Sequence, residues 1–172
     1  MKKVFLISLI VLLVSCDTQR QKPLATQPTK ASSGEMILLG KINKANLQTS
    51  DITSWFEEQS HKISADPQWG NDLQTHLKGL KIKVFMGTWC EDSQREIPHF
   101  FKLLDQIRFD QNNLEMYAMS EEKTTPENSE KGLEIYNVPT IIFFRNGYEI
   151  NRFVEFPVNS LESDISLIIK GE

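Results

Sequence analysis

The chain has 172 residues, of which 40% are hydrophobic and 24% charged, and its formal net charge is −4 at pH 7. This acidic balance, without a basic cluster between aromatic residues, argues against nucleic acid as a partner. Residues 35–172 have the length of one typical domain, and no internal repeat divides them.

The first residues have the pattern of an export signal. Lys2 and Lys3 precede an apolar run over residues 4–14, which is too short to favour a membrane-spanning helix. The run ends in Leu-Val-Ser-Cys, and this ending resembles a bacterial lipoprotein signal. The resemblance implies that residues 1–15 are removed and that Cys16 is lipid-modified as the new N-terminus. The alternatives are an ordinary signal with an incidental cysteine, or an uncleaved anchor.

The next segment has the composition of a tether. Residues 17–34 are rich in Thr, Gln, Pro, Lys and Ser, and carry almost no large apolar side chain. Such a segment cannot bury enough surface to fold, so residues 16–34 are predicted to be a flexible, lipid-anchored tether. The domain would then lie outside the cytoplasm, on a membrane of the bacterial cell envelope. Lipid on Cys16 would leave Cys90 as the free thiol, in an oxidising compartment.

The domain is predicted to begin with one strand and two helices, over residues 36–42, 51–63 and 69–77. Trp55 and Trp69 in these helices are interpreted as packing residues. An apolar strand over residues 82–86 follows, and apolar residues at helical spacing extend over residues 95–109. Cys90 therefore lies where a strand ends and a helix begins.

The second half of the domain is predicted to contain a strand, a charged loop and a short helix, over residues 114–119, 120–131 and 132–136. Two β-rich runs, 140–144 and 148–154, then flank the dipeptide 146–147, Asn-Gly, which is a strong hairpin signal. A last helix is predicted after Asn159 as its N-cap, with Gly171 beyond its end. This order of elements predicts a mixed sheet covered by helices.

The run Trp89-Cys90-Glu91-Asp92-Ser93 resembles the thioredoxin active-site motif, W-C-x-x-C, with serine in place of the second cysteine. The helix after it, the Val-Pro-Thr run at 138–140, the hairpin and the last helix extend the resemblance from about residue 81 to the C-terminus. The run over residues 86–98 especially resembles membrane-attached thioredoxin-like proteins of bacterial envelopes. This resemblance implies an α/β, thioredoxin-like fold, with a central mixed sheet flanked by helices.

The resemblance also implies the site residues. Pro139 is expected to be cis and to lie against Cys90, and Val138 is expected to hydrogen-bond an extended client beside Trp89. Cys90 is the expected nucleophile, since the positive end of a helix and its free N–H groups favour a thiolate. The hydroxyl of Ser93, one turn later, is predicted to donate a hydrogen bond to that thiolate.

Two further features of the motif affect its chemistry. Glu91 and Asp92 oppose a negative charge on the sulfur, and Arg95 offsets them in part. Val84 stands where many thioredoxins carry a buried acid that serves the second cysteine. The acid and the second thiol are therefore absent together.

A single thiol can form a mixed disulfide, but a thiol from outside must release it. The main hypothesis is a membrane-tethered thiol–disulfide exchange enzyme that acts through Cys90, with isomerase-like, thiol-capping or deglutathionylation activity. Its partners would be exported proteins with disulfides or modified thiols, and an external reductant or small thiol. The alternative is a non-catalytic binding module, in which Trp89, Val138 and Pro139 line a groove for extended peptides.

Other redox and metal functions fit the sequence less well. The two residues inside the Cys-x-x-Ser motif are acidic, unlike those of monothiol glutaredoxins, and Gly87 stands where a peroxiredoxin would have threonine. The three histidines are scattered at His61, His76 and His99. The sequence therefore predicts no metal site and no cofactor.

Overall fold

The computed structural model describes residues 22–24, 26, 28–64 and 66–171. The predicted signal, residues 1–15, and the predicted lipidation site, Cys16, lie outside the described residues. Within the described ranges, no helix is both long and apolar enough to cross a bilayer.

A mixed sheet forms the centre of the domain. The strands, in chain order, are β1 (Thr29–Lys30), β2 (Met36–Ile37), β3 (Gly40–Ile42), β4 (Leu80–Met86), β5 (Leu114–Ala118), β6 (Thr140–Arg145) and β7 (Tyr148–Val154). The helices are α1 (Lys44–Thr49), α2 (Trp55–Lys62), α3 (Glu91–Gln106) and α4 (Leu161–Lys170). Strands β1 and β2 pair with each other, and the other strands form one five-stranded sheet in the order β3-β5-β4-β6-β7. Strand β4 is parallel to β5, whereas the other neighbours in this sheet are antiparallel. The predicted α/β fold, a mixed sheet flanked by helices, is confirmed.

Alternate residues of β4 face two apolar clusters, because successive side chains of a strand point to opposite faces. Val84 is fully buried in the larger cluster, to which the helices contribute Phe56, Phe100 and Ile165 among others. Phe85 belongs to a second cluster on the opposite face, together with Met119, Ile135, Val138 and other residues. Trp55 and Trp69 pack against the larger cluster, as predicted.

The elements at the start of the domain differ from the prediction. The run predicted as one strand over 36–42 forms β2 and β3, because the Leu38 N–H leaves the strand and donates to the buried Thr88 hydroxyl. The predicted helix over 51–63 begins only at Trp55, after a short 3-10 turn over Asp51–Thr53. Helix α1 was not predicted; it begins at a capping box in which Asn43 and Asn46 bond each other's backbone N–H groups.

The two short helices predicted over residues 69–77 and 132–136 do not form in the structure. Residues 69–77 form turns and a 3-10 helix over Gln74–His76. Residues 132–136 form no helix, since Gly132 and Glu134 have φ of 78° and 54°, in the left-handed region. The predicted helix pattern over 95–109 corresponds to α3, which begins earlier and ends at Gln106.

The hairpin and the last helix agree more closely with the sequence. Asn146 and Gly147 have φ of 54° and 86°, as a two-residue turn with both φ positive requires. The N-cap of α4 is Ser160 rather than the predicted Asn159, because the Ser160 hydroxyl accepts the N–H of Ser163. Gly171, with φ of 80°, ends the helix as predicted.

Part of the predicted tether lies against the domain. The Lys22 carbonyl accepts a hydrogen bond from the Asn43 side chain at 2.7 Å. The Asn46 side chain accepts from the N–H of Leu24 and donates to its carbonyl. Further along, the Ser32 hydroxyl donates to Glu122 at 3.0 Å. These contacts connect the segment before the sheet to α1 and to the loop after β5.

Candidate functional site

Cys90 lies at the junction of β4 and α3, where the sequence predicts it. A turn after β4 is closed by a 3.1 Å hydrogen bond from the Cys90 N–H to the Gly87 carbonyl. Cys90 has extended backbone angles and is the N-cap of α3, and its carbonyl accepts the N–H of Gln94. The half-buried thiol therefore stands at the positive end of a 16-residue helix.

The chain brings Cys90 against Val138. The Cys90 Sγ donates a hydrogen bond to the Val138 carbonyl oxygen at 3.2 Å. The Val138–Pro139 peptide is cis, so the prediction for Pro139 is confirmed. Both residues are buried. Thus three residues that the sequence assigned to one site do lie together.

Trp89 is fixed beside the thiol. Its indole N–H donates to the Met119 carbonyl at 3.0 Å, and the Lys123 ammonium lies 5.5 Å from a ring centroid of the indole. A Cβ on Gly87 would lie only 2.6 Å from the indole Cε2. Glycine at this position is therefore a packing requirement of Trp89, which the sequence reasoning missed.

Ser93 lies one turn into α3 and is fully buried. Its hydroxyl oxygen accepts a hydrogen bond from the Gly87 N–H at 3.1 Å, whereas the sequence predicted a bond from this hydroxyl to the Cys90 thiolate. In the structure, the hydrogen bond of the Cys90 sulfur goes to Val138. Ser93 thus connects the first turn of α3 to the turn that carries Trp89 and Cys90.

The acidic residues after Cys90 are partly neutralised by Arg95. Its guanidinium bonds Asp92 at 2.6 Å and Glu96 at 2.7 Å, and Glu96 is buried. Burial lowers the pKa of Arg95, but the hydrogen bonds and charges of Glu96 and Asp92 outweigh it and raise the pKa above its ordinary value. Arg95 therefore stays charged, while Glu91 is exposed to solvent. This arrangement agrees with the predicted partial compensation.

The segment that carries Val138 also contacts Glu155, the residue directly after β7. The Glu155 N–H donates to the Pro139 carbonyl at 2.7 Å, and the Glu155 carboxylate accepts from the Asn137 side chain at 2.9 Å. The Thr140 hydroxyl donates to the Asn137 carbonyl. Neither Glu155 nor Asn137 was singled out from the sequence, because the contact joins elements whose pairing had first to be known.

The described residues contain no cluster of three or more His, Cys, Asp or Glu that could hold a metal ion. His99, on α3, instead bonds Glu162 of α4 at 2.8 Å. Val84, at the position of the buried acid of many thioredoxins, is a core residue that pairs with Met116 and Ile141 in the sheet.

No protein-family profile matches the chain. The chain is 31% identical over 99 residues to thioredoxin-like protein R548 of Acanthamoeba polyphaga mimivirus, and the match covers 55% of this chain and 69% of the viral protein. A protein of unknown function from Pseudomonas aeruginosa gives a TM-score of 0.48 at 16% identity, covering 77% of this chain and 83% of that chain. Thioredoxin from Fasciola hepatica gives a TM-score of 0.39 at 21% identity, covering 58% of this chain and 88% of that chain.

Proposed function

We infer the function of this chain from the premise that it belongs to the thioredoxin-like family. Relatives of this kind support a thiol–disulfide oxidoreductase type of activity. We propose that this chain carries out thiol–disulfide exchange through Cys90 alone. The observation that carries the proposal is the position of the Cys90 thiol, half-buried at the start of α3 and bonded to Val138.

In this proposal the nucleophile is the Cys90 sulfur as a thiolate, and two features of the site lie close to that charge. The partial positive charge and free N–H groups at the start of α3 stabilise a negative sulfur. Arg95 compensates the charge of Asp92 nearby. Ionisation also breaks the bond to Val138, since a thiolate has no proton to donate. The Val138 carbonyl then becomes available to accept an N–H from an extended client segment.

The first step is attack of the thiolate on one sulfur of a client disulfide. A bond forms between Cys90 and that sulfur, the client S–S bond breaks, and the second client sulfur leaves as a thiolate that takes a proton from water. Cys90 is oxidised into a mixed disulfide, and one client sulfur is reduced. Among the described residues Cys90 is the free cysteine, and in this proposal Cys16 carries lipid. A thiolate from outside must then attack the mixed disulfide and release Cys90.

The source of the second thiolate decides the net reaction. Where another thiol of the client attacks, the client disulfides are rearranged with no net change of oxidation state. Where two small-thiol molecules act in turn, the client disulfide is reduced and they leave as their own disulfide. One site thus serves isomerase-like and reducing reactions, and the small thiol is the co-reactant for the second.

We place this activity on a membrane of the bacterial cell envelope, with Cys16 as the lipid-modified residue. The support is the sequence of the first 16 residues and the tether-like composition up to residue 34. The domain boundaries proposed from the sequence are 1–15, 16–34 and 35–172. Exported proteins with disulfides or modified thiols are then the clients.

A non-catalytic binding module is the second candidate, and the same hydrogen bond favours it. A thiol that stays bonded to Val138 would be a packing group, and the fixed Trp89 would line a groove for peptides. Client trapping separates the two functions. Full-length wild type should recover client proteins in linkages that reducing agent breaks, and Cys90→Ala should not. Phe156→Ala, an exposed position, serves as the control. Equal recovery by wild type and Cys90→Ala would overturn the proposal and favour the binding module.

A further inference from the structure

We propose that Glu155 is a positioning residue: it fixes the position of the Val138 carbonyl and, through that carbonyl, the position of the Cys90 thiol. This inference rests on the proposed role of Cys90. It follows from an unusual backbone position: Glu155 has φ of 68°, in the left-handed region that residues with a Cβ rarely adopt. Glycine would adopt this backbone conformation more easily than glutamate.

The contacts of Glu155 supply a reason. Its backbone N–H donates to the Pro139 carbonyl at 2.7 Å, and its carboxylate accepts the Asn137 side-chain N–H at 2.9 Å. Asn137 and Pro139 are the two neighbours of Val138 in the chain. Glu155 thus holds the backbone on both sides of the carbonyl that accepts the thiol.

Only one of the two bonds depends on the side chain at position 155. Every residue except proline keeps the N–H that bonds Pro139, whereas the bond to Asn137 needs an acceptor in the side chain. Glycine at 155 would lose that bond, yet it would adopt the left-handed conformation without a Cβ penalty. Glutamine would keep an oxygen that can accept from Asn137. Glu155→Gly therefore separates the positioning of Val138 from the stability of the fold.

The test uses the full-length chain with Glu155→Gly, Glu155→Ala and Glu155→Gln. The ¹³Cβ chemical shift of Cys90, assigned by its loss in Cys90→Ala, reports the local environment of the thiol. The rate of mixed-disulfide formation with a synthetic peptide disulfide reports its reactivity, and urea unfolding reports stability. Glu134→Gly is the matched control, since Glu134 is exposed and also has a positive φ, 54°.

We expect Glu155→Gly and Glu155→Ala to shift the Cys90 signal and to lower the rate by about three- to tenfold, the worth of one hydrogen bond. The rate should fall because the Val138 carbonyl is no longer held where it accepts the N–H of the client segment. The two variants should agree in rate although the glycine variant is the more stable. Glu155→Gln and Glu134→Gly should keep the wild-type shift and rate. A wild-type Cys90 shift and rate in Glu155→Gly would overturn the inference, because glutamate would then have only a structural role. If wild type itself forms no mixed disulfide, the proposed function fails, and the Cys90 shift alone decides the role of Glu155.

Discussion

The Cys90 thiol donates a hydrogen bond of 3.2 Å to the carbonyl oxygen of Val138, which lies 48 positions later in the chain. The bond joins the start of α3 to the segment between β5 and β6. The bond exists only while the sulfur is protonated, so loss of the proton frees the Val138 carbonyl. In the proposed exchange reaction, the same ionisation would make the nucleophile and free a backbone acceptor for the client.

A second thiol at position 93 should change how the mixed disulfide is released. In Ser93→Cys the new thiol lies one turn after Cys90, on the same helix, where it can attack the Cys90–client bond. We expect the mixed disulfide with a synthetic peptide to disappear without added small thiol, as measured by mass spectrometry of the intact protein. Ser93→Ala is the control and should accumulate the mixed disulfide like wild type. Accumulation in both variants would show that position 93 cannot resolve the intermediate.

Gly87 should be intolerant of a methyl group because of Trp89. An alanine Cβ would lie 2.6 Å from the indole, so Gly87→Ala should lower the free energy of unfolding by about 1–3 kcal/mol. Trp89→Ala removes the group that clashes. The cost of Gly87→Ala should therefore be much smaller in the Trp89→Ala background, as a double-mutant cycle in urea can measure. Equal costs in the two backgrounds would assign the effect to something other than the indole.

Phe100 should anchor α3 to the sheet. It is fully buried and meets Phe143 of β6 edge to face, with ring centroids 6.3 Å apart. Phe100→Ala should cost about 3–5 kcal/mol in the free energy of unfolding. Phe156→Ala makes the same change at a side chain that is 60% exposed, and should stay within about 0.5 kcal/mol of wild type. A small effect at Phe100 would contradict the described core.

The contact between His99 of α3 and Glu162 of α4 should make the stability of the fold depend on pH. Burial raises the pKa of Glu162, but backbone hydrogen bonding and the His99 imidazole outweigh it, so the pKa lies below its ordinary value of 4.5. A pKa lowered by folding gives stability that is complete above the ordinary value and is lost as the pH falls through the folded-state value. The free energy of unfolding, measured in urea, should therefore fall more steeply below about pH 4.5 in wild type than in Glu162→Gln. Parallel curves would show that Glu162 makes no contribution.

Local rules explain the parts of the fold that the sequence predicts well. Asn146-Gly147 specifies a two-residue turn by itself, and the apolar spacing after Cys90 specifies α3. The cis bond before Pro139 followed from the family pattern around the motif. The absence of a helix at 132–136 and the cap of α1 were missed, because left-handed backbone at Glu134 and an Asn–Asn capping box give weak sequence signals.

The sequence predicted which residues of the candidate site lie together better than it predicted their hydrogen bonds. Cys90 and Trp89 were assigned from the motif and Val138 from the Val-Pro-Thr run, whereas the bond from the Gly87 N–H to the Ser93 hydroxyl depends on how tightly one turn closes. The contact of Glu155 with Asn137 joins residues 18 positions apart and depends on how the chain leaves β7. Such contacts follow from tertiary geometry rather than from local pattern.

We propose that the Cys90 thiol forms a mixed disulfide that only a thiol from outside releases. The direct measurement incubates full-length protein with a synthetic peptide disulfide, with and without a small thiol, and follows the products by mass spectrometry. Without the small thiol, we expect one peptide per chain, attached to Cys90, and one peptide thiol released. With the small thiol, the peptide disulfide should be consumed over many turnovers. Failure of Cys90 to form the mixed disulfide, or turnover without any added thiol, would overturn the proposed one-thiol mechanism.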